Sequence, residues 1–339
     1  MKNHIKKIFN REHYLRKVCS SYDSYIDGLD DILNKLSKKI SKNKLKELID
    51  KKLQIGLKKF DESQYVQAAC ELTVMSEFLD KDYIEFRYEN KVTPPKDVDF
   101  TVVIDKCNYN IEVKCPVYNP ENGGDDKILC LFTNRAPTLE IKDEMIEPIR
   151  SQLEKHGKTV VEGKNNDNKL KDFLESTHAK VENSPLSDVN ILVVCCDNAL
   201  DMHIWRGYMF GFSGLFTENS FIDHSKFNKV DYVLLTNIYN RHKNFYENSV
   251  ISNHWKLSSS FNLLYPNRYS IRNENIIGYL DLDKMNKIFP NHNRKFEDYL
   301  SDKTDLPEGE SYDAKEMLLG IAFYTDKFKK DGIYYFRSK

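Results

Sequence analysis

Between residues 97 and 115 two short apolar runs, DVDFTVVID and NIEVKC, overlap a turn-forming stretch, DKCNYN. Side chains along a strand alternate between faces. In the first run Val98, Phe100, Val102 and Ile104 therefore share one side, and Asp97, Asp99, Thr101 and Val103 share the other. In the second, Asn110, Glu112 and Lys114 fall on one face and Ile111, Val113 and Cys115 on the opposite one. A hairpin closed through residues 105–109 brings Asp99 to the same face as Glu112 and Lys114. Two carboxylates and an ammonium that interrupt apolar strands, rather than flank them, are costly to bury unless something compensates them. The pattern therefore predicts a hairpin with one face on a core and its charged side chains gathered for a purpose.

The surrounding chain predicts an α/β fold. Leu29, Ile32, Leu33, Leu36 and Ile40, then Leu45, Leu48, Ile49 and Leu53, recur at helical spacing, so residues 1–60 read as a helical N-terminal region. Its apolar stripe is suited to packing on a partner subunit. A further helix, capped by Asp61 or Ser63, carries the stripe Tyr65, Ala69, Leu72, Met75 and Leu79. YIEFRYE over residues 83–89 alternates as a strand. Helices follow at KDEMIEPIRSQLEKHG, where Pro148 must stand near the start or kink the helix, and at NNDNKLKDFLESTHAKVEN. DVNILVVCCD (188–197) and KVDYVLLTNIY (229–239) read as buried strands. A last helix is expected at AKEMLLGIAFYTDKF. This alternation of strands and helices is that of an α/β protein. It divides into residues 1–60, a core over 61–240, and a mixed C-terminal extension over 241–339 packed on that core.

The chemistry of the hairpin suits a hard cation. The Asp99 and Glu112 carboxylates, helped by the Val113 backbone carbonyl, are oxygen donors of the kind Mg²⁺ or Mn²⁺ prefers. Charge is unevenly spread: residues 1–60 hold 16 Lys and Arg against 7 Asp and Glu, on an otherwise acidic body. That asymmetry suits a polyanionic partner, and equally a solvated helix face. The seven cysteines are odd in number and show no C-x-x-C spacing, which argues against a disulfide framework, a zinc ribbon or an iron–sulfur cluster. Cys195 and Cys196 are expected to be buried. No apolar stretch approaches the length of a membrane span, and the basic N-terminus lacks the apolar segment of a secretory signal, so a cytoplasmic protein is expected. No P-loop, G-x-G-x-x-G or G-x-S-x-G is present.

With the glutamate-bearing helix CELTVMSEFL ahead of them, VDF and IEVK resemble the PD-(D/E)XK nuclease superfamily, which includes type II restriction enzymes and archaeal Holliday-junction resolvases. Glu71, Asp99, Glu112 and Lys114 occupy the matching positions, and twelve residues separate Asp99 from Glu112. The literal Pro-Asp pair is absent; Asp97 is the alternative ligand, and phase and spacing favour Asp99. The resemblance covers about residues 60–115. It implies a restriction-endonuclease-like mixed sheet flanked by helices, with Mg²⁺ held by Asp99 and Glu112 and with Glu71 completing the shell. It also implies a nuclease acting on DNA, double-stranded above all, in a restriction or anti-phage context, with a homodimer suited to cutting both strands. A catalytically inactive nucleic-acid-binding or assembly module, or an RNA-directed nuclease, are the competing readings. Gln152 and His156, Lys169 and Lys171, and the His203, Trp205 and Arg206 group are secondary candidates for substrate contact. For each of these, exposure on a helix face or burial in an aromatic cluster is the favoured expectation.

Overall fold

A computed structural model describes residues 12–19, 23–81, 84–116, 127–130, 135, 138–162, 166–197, 199–211, 213–243, 254–272 and 282–292. The basic residues 1–11, the 120–126 loop, the helix expected over 314–328 and the side chains of Cys19 and Cys130 lie outside them. No helix among the described residues is long and apolar enough to cross a membrane.

The protein is α/β, built on a mixed six-stranded sheet flanked by helices. Three short helices open it: α1 (Tyr14–Cys19), α2 (Asp23–Ser37) and α3 (Lys42–Glu47), the last running into a π-helical turn over Leu48–Lys52. Helix α4 (Glu62–Leu79) follows, its N-cap Asp61 accepting the Ser63 and Gln64 amides. Strands β1 (Glu85–Thr93), β2 (Lys96–Ile104) and β3 (Cys107–Lys114) form an antiparallel meander. Strands β4 (Lys127–Cys130) and β5 (Thr159–Glu162) pair in a separate two-stranded sheet around helix α5 (Leu139–Glu154). Then come α6 (Asp167–Lys180), β6 (Val189–Cys195), α7 (Ala199–Phe210), β7 (Tyr232–Thr236), α8 (Ile238–Lys243), β8 (Asn262–Pro266) and α9 (Leu282–Ile288). The main sheet runs β1-β2-β3-β6-β7-β8, with β3, β6 and β7 parallel and β8 antiparallel at the edge. Parallel neighbours require crossovers, and α6 and α7 lie in those connections.

The expected hairpin is present, with a tighter turn than 105–109. Ile104 pairs with Cys107, so Asp105 and Lys106 alone make the bend, at φ of 52° and 65°. Two successive left-handed residues give the turn whose twist matches the strands it joins. The alternation read from the sequence also holds: Phe100, Val102, Ile111 and Val113 are buried on the α4 side, and Val98 is buried as well. The other face carries a polar row. Asn90 donates to Thr101, Thr101 to Asn110 and Asn110 to Asn190, across β1, β2, β3 and β6. Each side chain satisfies the next, which is what makes their burial tolerable.

Two core clusters sandwich the sheet. One joins α4 to the N-terminal helices, with Tyr14, Tyr25, Leu29, Leu36 and Leu53 in the same buried cluster as Phe100 and Val193. The N-terminal stripe is thus used up inside the chain rather than left for a partner subunit. The second cluster packs Leu170, Phe173 and Leu174 of α6 and Met202, Trp205 and Met209 of α7 against Leu192, Val194 and Leu235. From the C-terminal extension, β8 completes the sheet edge and Met285 and Phe289 enter the first cluster. Pro148 stands inside α5, beyond its midpoint, and not near its start. It is solvent-exposed, so water can take the carbonyl that its missing N–H leaves unbonded.

Candidate active site

The β2–β3 pairing ends at Phe100–Ile111, while β3 continues to pair with β6 as far as Lys114–Val194. The hairpin therefore opens at Asp99, and Asp99 Oδ2 accepts the Val113 backbone N–H at 2.7 Å. That bond gives the Val113 amide an acceptor and fixes the carboxyl beside Glu112. Glu112 is 1% exposed, and its Oε1 lies 2.6 Å from both Lys114 Nζ and Lys180 Nζ at the end of α6. Its Oε2 is buried with no hydrogen-bond partner among the described residues. Glu71 enters from α4. Lys52 Nζ, at the end of the π-helical turn, donates to Glu71 Oε2 at 3.1 Å, and Gln67 donates to Oε1 at 3.4 Å. Lys52 also lies 3.5 Å from Glu89 on β1, over the face of Tyr88.

These groups feel one another. Desolvation, and then the neighbouring Glu71 and Glu112 carboxylates, push the Asp99 carboxyl well above the ordinary carboxylate range, against the pull of the Val113 N–H and Lys52. Burial alone would depress Lys114, but Glu112, with Asp99 and Glu71 behind it, outweighs this and holds the ammonium above its usual value. Lys52 is raised in the same way, its burial overcome first by Glu71. Glu71, Asp99 and Glu112 therefore share one electrostatic site although they come from a helix and two strands. Of the two aspartates on β2, Asp99 is the one bound to β3. Val113 contributes its amide to Asp99, and its side chain is buried in the core.

The secondary candidates go elsewhere. Gln152 and His156 are exposed at the end of α5 and just beyond it. Lys169 lies over the Phe173 ring and Lys171 pairs with Asp172 on the same helix. Trp205 stacks on Phe173, with ring centroids 6.0 Å apart, and His203 is buried beside it in α7. This is a packed aromatic cluster. Cys195 and Cys196 are both buried and point to opposite faces of β6.

Sequence reasoning missed Lys52, Lys180 and Gln67. Lys52 and Lys180 sit in lysine-rich helical stretches and reach the site only because α3 and α6 pack against it. Gln67 had a local signal, since it stands one helical turn before Glu71 on the same face.

Carboxylate oxygens are donors of the kind a hard divalent cation takes, and a cation would relieve the repulsion that raises Asp99. Among the described residues, however, Glu71, Asp99 and Glu112 do not bring their oxygens all within 4.8 Å of one another, as Cys70, Cys115 and Cys195 bring their sulfurs. Comparison with family models, curated proteins and solved structures finds no match to this chain.

Proposed function

We propose that the chain is a Mg²⁺-dependent endonuclease of the PD-(D/E)XK type, hydrolysing phosphodiester bonds of double-stranded DNA. The observation that carries this reading is the electrostatic influence of Glu71 and Glu112 on Asp99, with Lys114 paired to Glu112 and with Glu112 Oε2 buried and without a hydrogen-bond partner among the described residues. An antiparallel hairpin leading into parallel strands supports a restriction-endonuclease-like core. Asp99, Glu112 and Glu71 would hold Mg²⁺ or Mn²⁺, with the Val113 carbonyl as a further donor. The bound cation would neutralise phosphate charge, favour deprotonation of a water and stabilise the leaving oxygen. Lys114, fixed against Glu112, orients the attacking water and stabilises charge in the transition state. With a cation held by the carboxylates, the Lys52 and Lys180 ammonium groups would be available to phosphate oxygens. A pair of such chains would cut both strands, and restriction or anti-phage defence is the context that the resemblance to the nuclease superfamily implies.

One observation favours a second reading. Lys52, Lys114 and Lys180 already balance Glu71 and Glu112 without a cation. A nuclease-like fold that has become a nucleic-acid-binding or assembly module could keep such internal ion pairs.

Supercoiled plasmid and single-stranded RNA, incubated with wild type and Lys114→Ala in Mg²⁺, Mn²⁺ or EDTA, separate the readings. Metal-dependent nicking of the plasmid, reduced at least ~100-fold in the variant, is the expected result. Cleavage of RNA alone would move the substrate class. Intact nucleic acid in every condition, with no calorimetric Mn²⁺ binding lost in Asp99→Ala, would favour the non-catalytic module.

A further inference from the structure

We propose that Cys70, Cys115 and Cys195 form a second metal site, for a thiophilic cation such as Zn²⁺ or Cu⁺, on the α4 side of the sheet. Their sulfur atoms all lie within 4.8 Å of one another. Each comes from a different part of the fold: Cys70 from the middle of α4, Cys115 from the residue after β3, and Cys195 from the last position of β6. A cation with metal–sulfur bonds of about 2.3 Å holds three sulfurs roughly 3.8–4.0 Å apart. Less than an ångström of side-chain adjustment therefore converts this cluster into a three-thiolate site. Sulfur ligands select soft and borderline cations, not Mg²⁺, so the site differs in chemistry from the carboxylate centre next to it.

A buried cysteine is ordinarily a small apolar side chain, and a single one here would mean no more than that. Two observations separate this cluster from that case. The other described cysteines with placed side chains stand apart from it: Cys107 opens β3 at its far end, and Cys196 faces the opposite core. In addition, Thr236 pairs directly with Cys195 across β6 and β7, and its fully buried hydroxyl has no hydrogen-bond partner among the described residues. That hydroxyl can donate to a thiolate or to a fourth, water ligand of a bound cation.

The position gives the site a consequence. Cys70 precedes Glu71 and Cys115 follows Lys114. A cation shared by the three thiolates would fasten α4 to β3 and β6, and so fix Glu71 relative to Glu112. Binding rests on the thiols alone and does not depend on the proposed nuclease reaction.

The test uses the full-length, reduced, metal-stripped protein titrated with Cd²⁺ in excess Mg²⁺. The expected result is one Cd²⁺ per chain with thiolate-to-metal charge-transfer absorption in the near ultraviolet. Cys70, Cys115 and Cys195, identified by mass spectrometry, should be protected from alkylation by bound Cd²⁺. Each Cys→Ala variant, which preserves a small apolar side chain, should weaken Cd²⁺ binding by ~10-fold or more, whereas Asp99→Ala should leave it unchanged. The proposal is overturned if wild type shows no charge-transfer band, or if binding survives Cys195→Ala and Cys115→Ala undiminished. Alkylation of the three thiols at the same rate with and without Cd²⁺ would overturn it as well, and that measurement needs no variant to fold.

Discussion

Glu112 shows how one residue can hold opposing demands. It is almost completely buried, it accepts from two ammonium groups through one oxygen, and its second oxygen has no described partner. Removing one partner of a buried pair leaves an uncompensated charge, typically at a cost of ~3–5 kcal/mol; the second lysine here should moderate that. Lys180→Met is therefore expected to lower metal-free stability by about 2 kcal/mol. If Glu112 is a ligand as proposed, Mn²⁺ should then stabilise the variant more than the wild type, because a cation would no longer compete with Lys180 for Glu112. Thermal melts of both proteins with and without Mn²⁺ measure this; equal metal-induced shifts would mean that Glu112 is not a ligand. Asp99→Asn makes a complementary prediction. Its carboxyl is held well above the ordinary range, so the neutral amide should leave the melting temperature unchanged or raised while abolishing Mn²⁺ binding. A large loss of stability in that variant would show that the Asp99 charge is structural.

At the scale of elements, the parallel part of the sheet is clamped at its base. Asp231, just before β7, accepts the Asn190 amide at 2.7 Å, the Ser270 hydroxyl and the Arg272 guanidinium. Arg272 also donates to the Pro185 and Leu186 carbonyls ahead of β6. One ion pair, 1% and 0% exposed at its two ends, thus joins the segment after β8 to the starts of β6 and β7. Arg272→Met should cost ~3–5 kcal/mol by leaving Asp231 buried and unpaired, and adding Asp231→Asn should recover part of that loss. Urea denaturation of the single and double variants gives the comparison; a double variant no more stable than Arg272→Met would assign the cost to the lost carbonyl bonds. The strands themselves were legible from their β-branched, apolar runs. The clamp was not, because Arg272 reads locally as one more loop cation and its partner lies about forty residues earlier.

The whole molecule is held together across its sequence by groups such as His242. The Tyr25 hydroxyl in α2 lies 3.0 Å from Nδ1, and Nε2 lies 2.7 Å from Thr73 in α4. Thr73 spends its own proton on the Ala69 carbonyl, so Nε2 carries a hydrogen. Burial, and then Arg241, depress its pKa to about 3. The sign follows: a depressed histidine contributes stability that is present above the unfolded-state value near 6.5 and is lost as pH falls below it. Stability should drop by roughly 1.4 kcal/mol per pH unit over that interval on account of this residue. His242→Gln should be less stable at pH 7 and flatter in its dependence between pH 6.5 and 5, as followed by urea midpoints. Parallel profiles for the two proteins would remove His242 as the cause.

Asp99, Glu112 and Lys114 could be read from the sequence because they lie within one hairpin, where a period of two and a turn fix which side chains meet. The same local logic gave α4, its Asp61 cap and its buried stripe, and the α/β class. Everything that depended on distant segments packing together was invisible to it. Lys52 and Lys180 reach the carboxylates from helices whose own sequence says only that they are amphipathic and basic. The N-terminal stripe could have faced a partner, yet it is buried by this chain's own α4. The three thiols have no motif spacing because α4, β3 and β6 meet only once the sheet is assembled. Local periodicity is set by backbone geometry and so is written in the sequence. Which charge meets which across the core depends on how helices and sheet pack, and only the tertiary structure decides it.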